Sequence, residues 1–193
     1  MVTQKHARAA LALAAVLASS VFALAQTQGT PEEFTAVAVA NDEFGAGAGR
    51  VIIRVTRWSG EAERDRLVNV LRSKGSDALL DALQDARSVG TIRTPDSLAY
   101  DLRYAHETKG EDGGRQIVIA TDRPISFWEA ANNARTLDYP FTVIQMNIGP
   151  DGKGRGTMSY ATRIRAYGQV IDLENFSTAP IMLNEIRASR IVD

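Results

Sequence analysis

The fold is decided by the run 141-FTVIQMNIGPDGKGRGTMSYATRIRA-166, which contains two segments with the two-residue period of β-strands. The segments are residues 141–148 and 157–166. The loop between them, residues 149–154, is rich in glycine, with a proline and an aspartate, and these residues favour turns. Such a short connection predicts an antiparallel pair of strands.

The first of these two segments carries apolar side chains in both phases of the strand period. One phase contains Thr142, Ile144, Met146 and Ile148, and the other contains Phe141 and Val143. A strand with water on one face has apolar residues in one phase only. We therefore expect this strand to be central in its sheet, or to be covered on both faces.

Strand-like alternation extends outward from this run over most of the chain. The further predicted strands are residues 34–40, 50–58, 98–104, 116–120, 170–174 and 181–186. The glycine-alanine run 45–49 is predicted to be a turn between the first two. Short connections make the strands mostly antiparallel, and we count eight or nine of them.

Two segments have helical spacing instead. A helix start at Ser59-Gly60-Glu61 leads into a periodic segment that ends at Lys74-Gly75, and a second short helix starts at Ser76-Asp77 and ends near residue 90. The Ser-x-x-Glu spacing from Ser126 predicts one more short helix, residues 126–134. The predicted fold class is α+β: an antiparallel β-meander, barrel-like or sandwich, with an inserted helical hairpin at residues 60–88.

The N-terminus has the pattern of a secretory signal peptide, residues 1–25. Basic residues precede a run of small apolar residues, and Ala23-x-Ala25 provides a cleavage site near Ala25. Residues 26–33 are predicted to be a flexible lead-in and residues 34–193 a single domain. We expect a periplasmic or secreted protein without a membrane span, and without a lipid anchor because the chain has no cysteine.

Composition excludes several classes of function. The formal net charge of the chain is −1, and removal of the basic signal makes it more acidic, which disfavours nucleic-acid binding. Of the two histidines, His6 lies in the signal, so only His106 is left for chemistry. No catalytic residue, metal ligand or cofactor site is therefore assigned. His106 is expected at the end of a strand as a solvated or edge residue.

Carboxylate chemistry stays open as an alternative, because it needs only two acidic groups that face one cleft. Four acids lie in the polar phase of predicted strands, where arginines on neighbouring strands would pair with them. They are Asp101, Asp172, Glu174 and Glu185. A solvated sheet face explains these residues more simply than an active site does.

Four residues are candidates for a binding site. Arg123, Phe127 and Trp128 lie in a segment that combines charge, proline and two aromatic residues, and Trp58 follows the second predicted strand. These side chains could line a site for a ligand. The alternative is that the aromatic residues close one end or one edge of the sheet as part of the core.

Several short motifs resemble a family of small exported bacterial proteins with no assigned activity. They are Arg57-Trp58, Ala62-Glu63-Arg64, Leu71, Gly75, Val89-Gly90, Leu102-Arg103-Tyr104-Ala105, the run 120–125, and Asp151-Gly152-Lys153-Gly154. The resemblance covers nearly all of the chain after the signal. It implies a periplasmic setting and a single domain, and it supplies no catalytic residues.

The sequence supports three functional hypotheses. The first is a non-enzymatic binding or accessory module for a small apolar ligand or a peptide. The second is a carboxylate-based hydrolase that uses Asp or Glu pairs together with His106. The third is a structural component of an envelope assembly that pairs with an envelope protein through an open sheet edge. The oligomeric state stays open.

Overall fold

The computed structural model describes residues 29–42, 45–110, 112–125, 138–175 and 179–191. Ten strands and two helices lie within these ranges. The strands are β1 (Glu32–Asp42), β2 (Gly45–Val55), β3 (Gly90–Arg93), β4 (Tyr100–Leu102), β5 (Tyr104–Lys109), β6 (Arg115–Ala120), β7 (Phe141–Ile148), β8 (Lys153–Tyr167), β9 (Val170–Asn175) and β10 (Ile181–Arg190). The helices are α1 (Glu61–Lys74) and α2 (Ser76–Gln84).

All of these strands pair antiparallel in one sheet, which curls into a nearly closed barrel. The strand order is β4-β3-β2-β1-β10-β8-β7-β6-β5, and β9 pairs with β8 beside this path. The first and last strands of the order are consecutive in the chain and are separated only by Arg103. Strand β4 pairs with β3, and β5, which follows it directly, pairs with β6. The two ends of the sheet are therefore brought together by one continuous stretch of chain.

The barrel is filled by the inward phase of its strands. In β2 the side chains of Val51, Ile53 and Val55 are fully buried, whereas Arg50 and Arg54 are exposed, as the strand period predicts. The same core cluster includes Phe34, Ile92, Leu102, Ile117, Ile119, Ile144, Met158, Leu183 and Ile186. The predicted α+β class with a mostly antiparallel sheet is confirmed.

The two-sided burial of β7 is also confirmed. Its residues Ile144 and Met146 belong to the barrel core, whereas Phe141 and Val143 belong to a second cluster on the outer face. That cluster is completed by leucines of the helical hairpin and by Ile164 of β8. The leucines are Leu67, Leu71, Leu79 and Leu83. The helical hairpin thus covers one outer face of the barrel.

Glycines set the bounds of the hairpin. Helix α1 begins directly after Gly60 and ends directly before Gly75, which adopts a φ of 86° and separates the two helices. A positive φ favours glycine, so the sequence marks this break well. Helix α2 ends at Gln84, earlier than the predicted end near residue 90.

Several strand bounds differ from the predictions, among them the start of β8 at Lys153 rather than residue 157 and the end of β10 at Arg190 rather than residue 186. The run 45–49 is not a turn, because its residues pair with Ala38 to Asp42 of β1 and lengthen β2. Strand β2 ends at Val55 rather than at residue 58, and β1 begins at Glu32, inside the predicted lead-in. The predicted strand 98–104 is divided at Arg103 and continues to Lys109. The short strand β3 was not predicted at all.

Two predicted segments lie outside the described residues. They are the signal peptide, residues 1–25, and the short helix at residues 126–134. Among the residues that the structure describes, neither helix is long and apolar enough to cross a membrane.

Candidate functional site

A cleft of about 440 Å³ lies where the chain passes from β2 into α1. It is lined by residues 57–63, by Gly29, and by His106 and Glu107 of β5. The chain takes this path because β2 ends at Val55, and Thr56 and Arg57 then donate main-chain hydrogen bonds to the Val89 carbonyl. The main-chain hydrogen bond from Ser59 to Ala105 then holds the start of α1 beside β5.

Trp58 both lines this cleft and belongs to the barrel core. Its ring is buried and meets the ring of Phe34 edge-on, with centroids 6.4 Å apart. The indole N–H donates to the Thr30 carbonyl at 3.0 Å, and Gly29 lies against the ring. A Cβ at position 29 would fall 2.6 Å from the ring, so only glycine fits there. Trp58 is thus positioned mainly by packing.

His106 was predicted to be a solvated or edge residue, and the structure contradicts only the first of these, because β5 is the last strand of the sheet order. The residue is buried within β5 rather than solvated at a strand end. Its Nδ1 donates to the Ser59 carbonyl at 2.8 Å, and the Ser59 N–H donates to the Ala105 carbonyl at 2.6 Å. Because a carbonyl only accepts, the Nδ1 atom carries a proton. In the neutral ring, Nε2 then has a free lone pair, and it lies 3.4 Å from Oε1 of Glu61.

The aromatic neighbour of His106 is neutral. Tyr104 stacks on the imidazole with ring centroids 6.1 Å apart and an interplanar angle of 23°. Burial raises the pKa of Tyr104 well above its usual range; the nearby Arg64 lowers it in part, and the acidic residues of α1 raise it. The phenol is therefore protonated at any physiological pH.

The carboxylates of the cleft all have arginine partners. Glu63 lies 3.1 Å from Arg57, and Glu61 lies 2.7 Å from Arg64. Glu107 lies 2.7 Å from Arg115, whose guanidinium also binds Glu32 and covers the ring of Phe34. In each carboxylate the ion pair is made through Oε2.

The four acids considered from the sequence lie on sheet faces away from the cleft. Asp101 and Asp172 are exposed, and Glu174 binds Arg165 at 2.8 Å. Glu185 is exposed with a φ of 49°. The residues that the structure describes contain no group of three or more His, Asp or Glu arranged to hold a metal ion.

The predicted binding residues do not meet in one place. Trp58 lines the cleft, whereas Arg123 is absent from its lining and is half exposed beside Asp122, with Nε 3.3 Å from Oδ1. Phe127 and Trp128 lie outside the described residues. Asp122 itself is buried and contacts Arg103 at 3.3 Å, so this charge group joins strands rather than facing the cleft.

A second candidate site is the outer edge of β9, whose residues were not among the predicted binding residues. Strand β9 pairs with β8, and no other described strand pairs with it. Tyr167, Val170 and Ile171 at the tip of this hairpin are exposed, and Gln169 binds Arg72 of α1 at 3.0 Å. The signal in the sequence was the pair Val170-Ile171, which puts apolar side chains in both phases of a short strand.

Along the outer edge of β9, every second residue directs its main-chain N–H and C=O groups away from β8. The connection between β8 and β9 has two residues, Gly168 and Gln169, so Tyr167 and Val170 form a hydrogen-bonded pair. Hydrogen-bonded and non-hydrogen-bonded pairs then alternate along the ladder. The N–H and C=O groups of Ile171 and Leu173 therefore point away from β8.

No protein family, curated protein or solved structure matches the chain at a significant level. The resemblance to exported bacterial proteins therefore stays a prediction.

Proposed function

We propose that this protein is a non-enzymatic binding module of the cell envelope, which takes up an extended segment of a partner protein along the free edge of β9. The observation that carries the proposal is an edge strand with exposed apolar side chains, which pairs with β8 on one side and with no described strand on the other. Proteins normally protect such edges because another chain can pair with them. Addition of a strand from a partner is a common mode of peptide recognition.

The side chains of β9 define the chemistry of the partner segment. Ile171 and Leu173 lie in one phase of the strand, on the face that packs toward the helices, and favour apolar partner residues. Asp172 lies in the other phase, is exposed and has no ion pair among the described residues. A segment that alternates apolar and basic residues would complement both faces.

A second copy of the chain fits this edge less well. Two β9 strands paired antiparallel would bring Asp172 and Glu174 of each copy close together on the same face. Like charges on adjacent strands are destabilising. A heterologous basic segment avoids this repulsion.

The other hypotheses have less support. An apolar ligand inside the barrel would compete with the buried side chains that fill it. A carboxylate-based hydrolase needs two acids that face one cleft as acid and base, and ion pairing already explains each carboxylate that lines this cleft, since each lies within 3.1 Å of an arginine.

The proposal is tested with two labelled peptides, one alternating valine with lysine and one alternating valine with glutamate. We expect the lysine peptide to bind, and Ile171→Pro to weaken its binding about tenfold or more, because proline removes one outward N–H without breaking the β8–β9 ladder. Fluorescence anisotropy measures the binding, and circular dichroism confirms that the variant folds.

Ile171→Val is the matched control, since it keeps the N–H and the branched side chain and should bind as the parent does. Equal binding of the lysine peptide by Ile171→Pro would overturn the proposal, as would equal binding of the two peptides by the parent. Light scattering gives a further check, because a concentration-dependent dimer that Ile171→Pro abolishes would assign the edge to a second copy instead.

A further inference from the structure

The Nε2 atom of His106 is buried without a hydrogen-bond partner among the described residues. Its imidazole is about nine-tenths buried, and its nearest charged neighbour is Oε1 of Glu61 at 3.4 Å, in a geometry that does not make a hydrogen bond. A buried polar atom without a hydrogen bond destabilises the folded protein, and such atoms are rare in native structures, so this one indicates a missing partner. The side chain lines the cleft described above.

The separation of the two atoms matches that of two ligands on one metal ion. Zinc lies about 2.0–2.1 Å from a histidine nitrogen and about 2.0–2.2 Å from a carboxylate oxygen, and its sites are usually tetrahedral. These lengths and angles put two neighbouring ligand atoms about 3.3–3.5 Å apart. We propose that His106 and Glu61 together bind a divalent transition-metal ion such as Zn²⁺ in this cleft.

The surroundings of His106 also suit a metal ligand. A histidine that binds a metal through one nitrogen commonly donates its other N–H to a carbonyl or carboxylate, which orients the ring. Here the Ser59 carbonyl accepts from Nδ1 at 2.8 Å. The side chain of Glu61 is 61 % exposed and can adjust to admit the ion.

The ligand types favour a transition-metal ion over other cations. Each of the three glutamates that line the cleft is paired with an arginine, but Glu61 binds Arg64 through Oε2, which leaves Oε1 facing His106. An imidazole nitrogen prefers zinc-like ions to calcium or magnesium, which take oxygen ligands. The described residues offer no third ligand group, so water would complete the coordination and the affinity would be modest.

The experiment titrates the full chain with Zn²⁺ alone, by isothermal titration calorimetry and by NMR of the histidine ring nitrogens. We expect one ion per chain and a shift of the Nε2 signal of His106. His106→Gln and Glu61→Gln should each weaken binding about tenfold or more. Asp77→Asn, which alters an exposed acid in the first turn of α2, is the matched control and should bind as the parent does.

His6→Gln separates this site from the only other histidine of the chain. Loss of binding in His6→Gln alone, equal binding in all variants, or no NMR shift at millimolar Zn²⁺ would each overturn the assignment. Because Glu61 is exposed, Glu61→Gln should fold even where His106→Gln does not. The metal site and the β9 edge involve different residues, so either proposal can fail without the other.

Discussion

Replacement of Gly90 by alanine is expected to lower the free energy of unfolding by about 3 kcal/mol. Gly90 has a φ of 158°, and a Cβ built on it would lie 1.9 Å from the carbonyl oxygen of Arg54. That oxygen belongs to the backbone of β2, so no side-chain rotation can relieve the clash. Gly90 pairs with Val55 on one side and with Leu102 on the other, and the variant would therefore disrupt both ladders of β3.

Gly168→Ala is the control for this prediction. Gly168 also has a positive φ, 61°, but nothing lies within 4 Å of a Cβ built there. Only the conformational penalty remains, about 1 kcal/mol. Urea unfolding followed by circular dichroism measures both variants. Equal losses of stability would mean that contact with β2 is not what requires glycine at position 90.

Replacement of Asp122 by asparagine is expected to cost about 3 kcal/mol, because the variant leaves the charge of Arg103 without its buried partner. The Asp122 side chain is 4 % exposed and that of Arg103 is 17 % exposed, with Nε 3.3 Å from Oδ2. Arg103 stands at the junction of β4 and β5 and also donates to the Ala86 carbonyl at 3.1 Å. The pair therefore joins the closure of the barrel to the end of the helical hairpin.

Asp101→Asn is the matched control at the same arginine. Asp101 lies 3.9 Å from Arg103, and its side chain is 50 % exposed, so its loss should cost at most about 0.5–1 kcal/mol. A double variant, Arg103→Met with Asp122→Asn, should lose less stability than the two single variants added together, because no unpaired charge stays buried. Strictly additive losses would show that the two charges do not interact.

The local periods of the sequence predicted most of the secondary structure. The phase of Val51, Ile53 and Val55 gave the inward face of β2, and apolar residues in both phases of β7 indicated two covered faces. Gly60 and Gly75 marked the two ends of α1 in the sequence. Gly75 ends the helix because its φ of 86° is not helical and favours glycine. These features depend on neighbours within a few residues.

The closure of the barrel could not be predicted in the same way. Strand β3 has four residues, too few for a clear period, and it exists because Gly90 and Ile92 pair with β2 and β4. The division of the next strand at Arg103 follows from a change of partner, from β3 to β6. Neither event leaves a local pattern in the sequence.

In the candidate sites, too, the sequence indicated single residues, whereas their surroundings depend on contacts between distant parts of the chain. The sequence singled out Trp58 and identified His106 as the one histidine outside the signal, but it did not predict that His106 is buried. The structure buries that ring because Ser59, 47 residues earlier in the chain, accepts its hydrogen bond. The free edge of β9 became visible only once the pairing of all described strands was known.

By itself, then, the sequence determined an antiparallel β-rich chain with a helical hairpin, since alternation and helical spacing arise between residues close in the chain. The tertiary structure alone decided how the sheet closes at Gly90 and Arg103, where His106 lies, and that β9 has no second partner among the described strands. Those outcomes depend on contacts between residues far apart in sequence, whose free energy is gained only when the ends of the sheet meet.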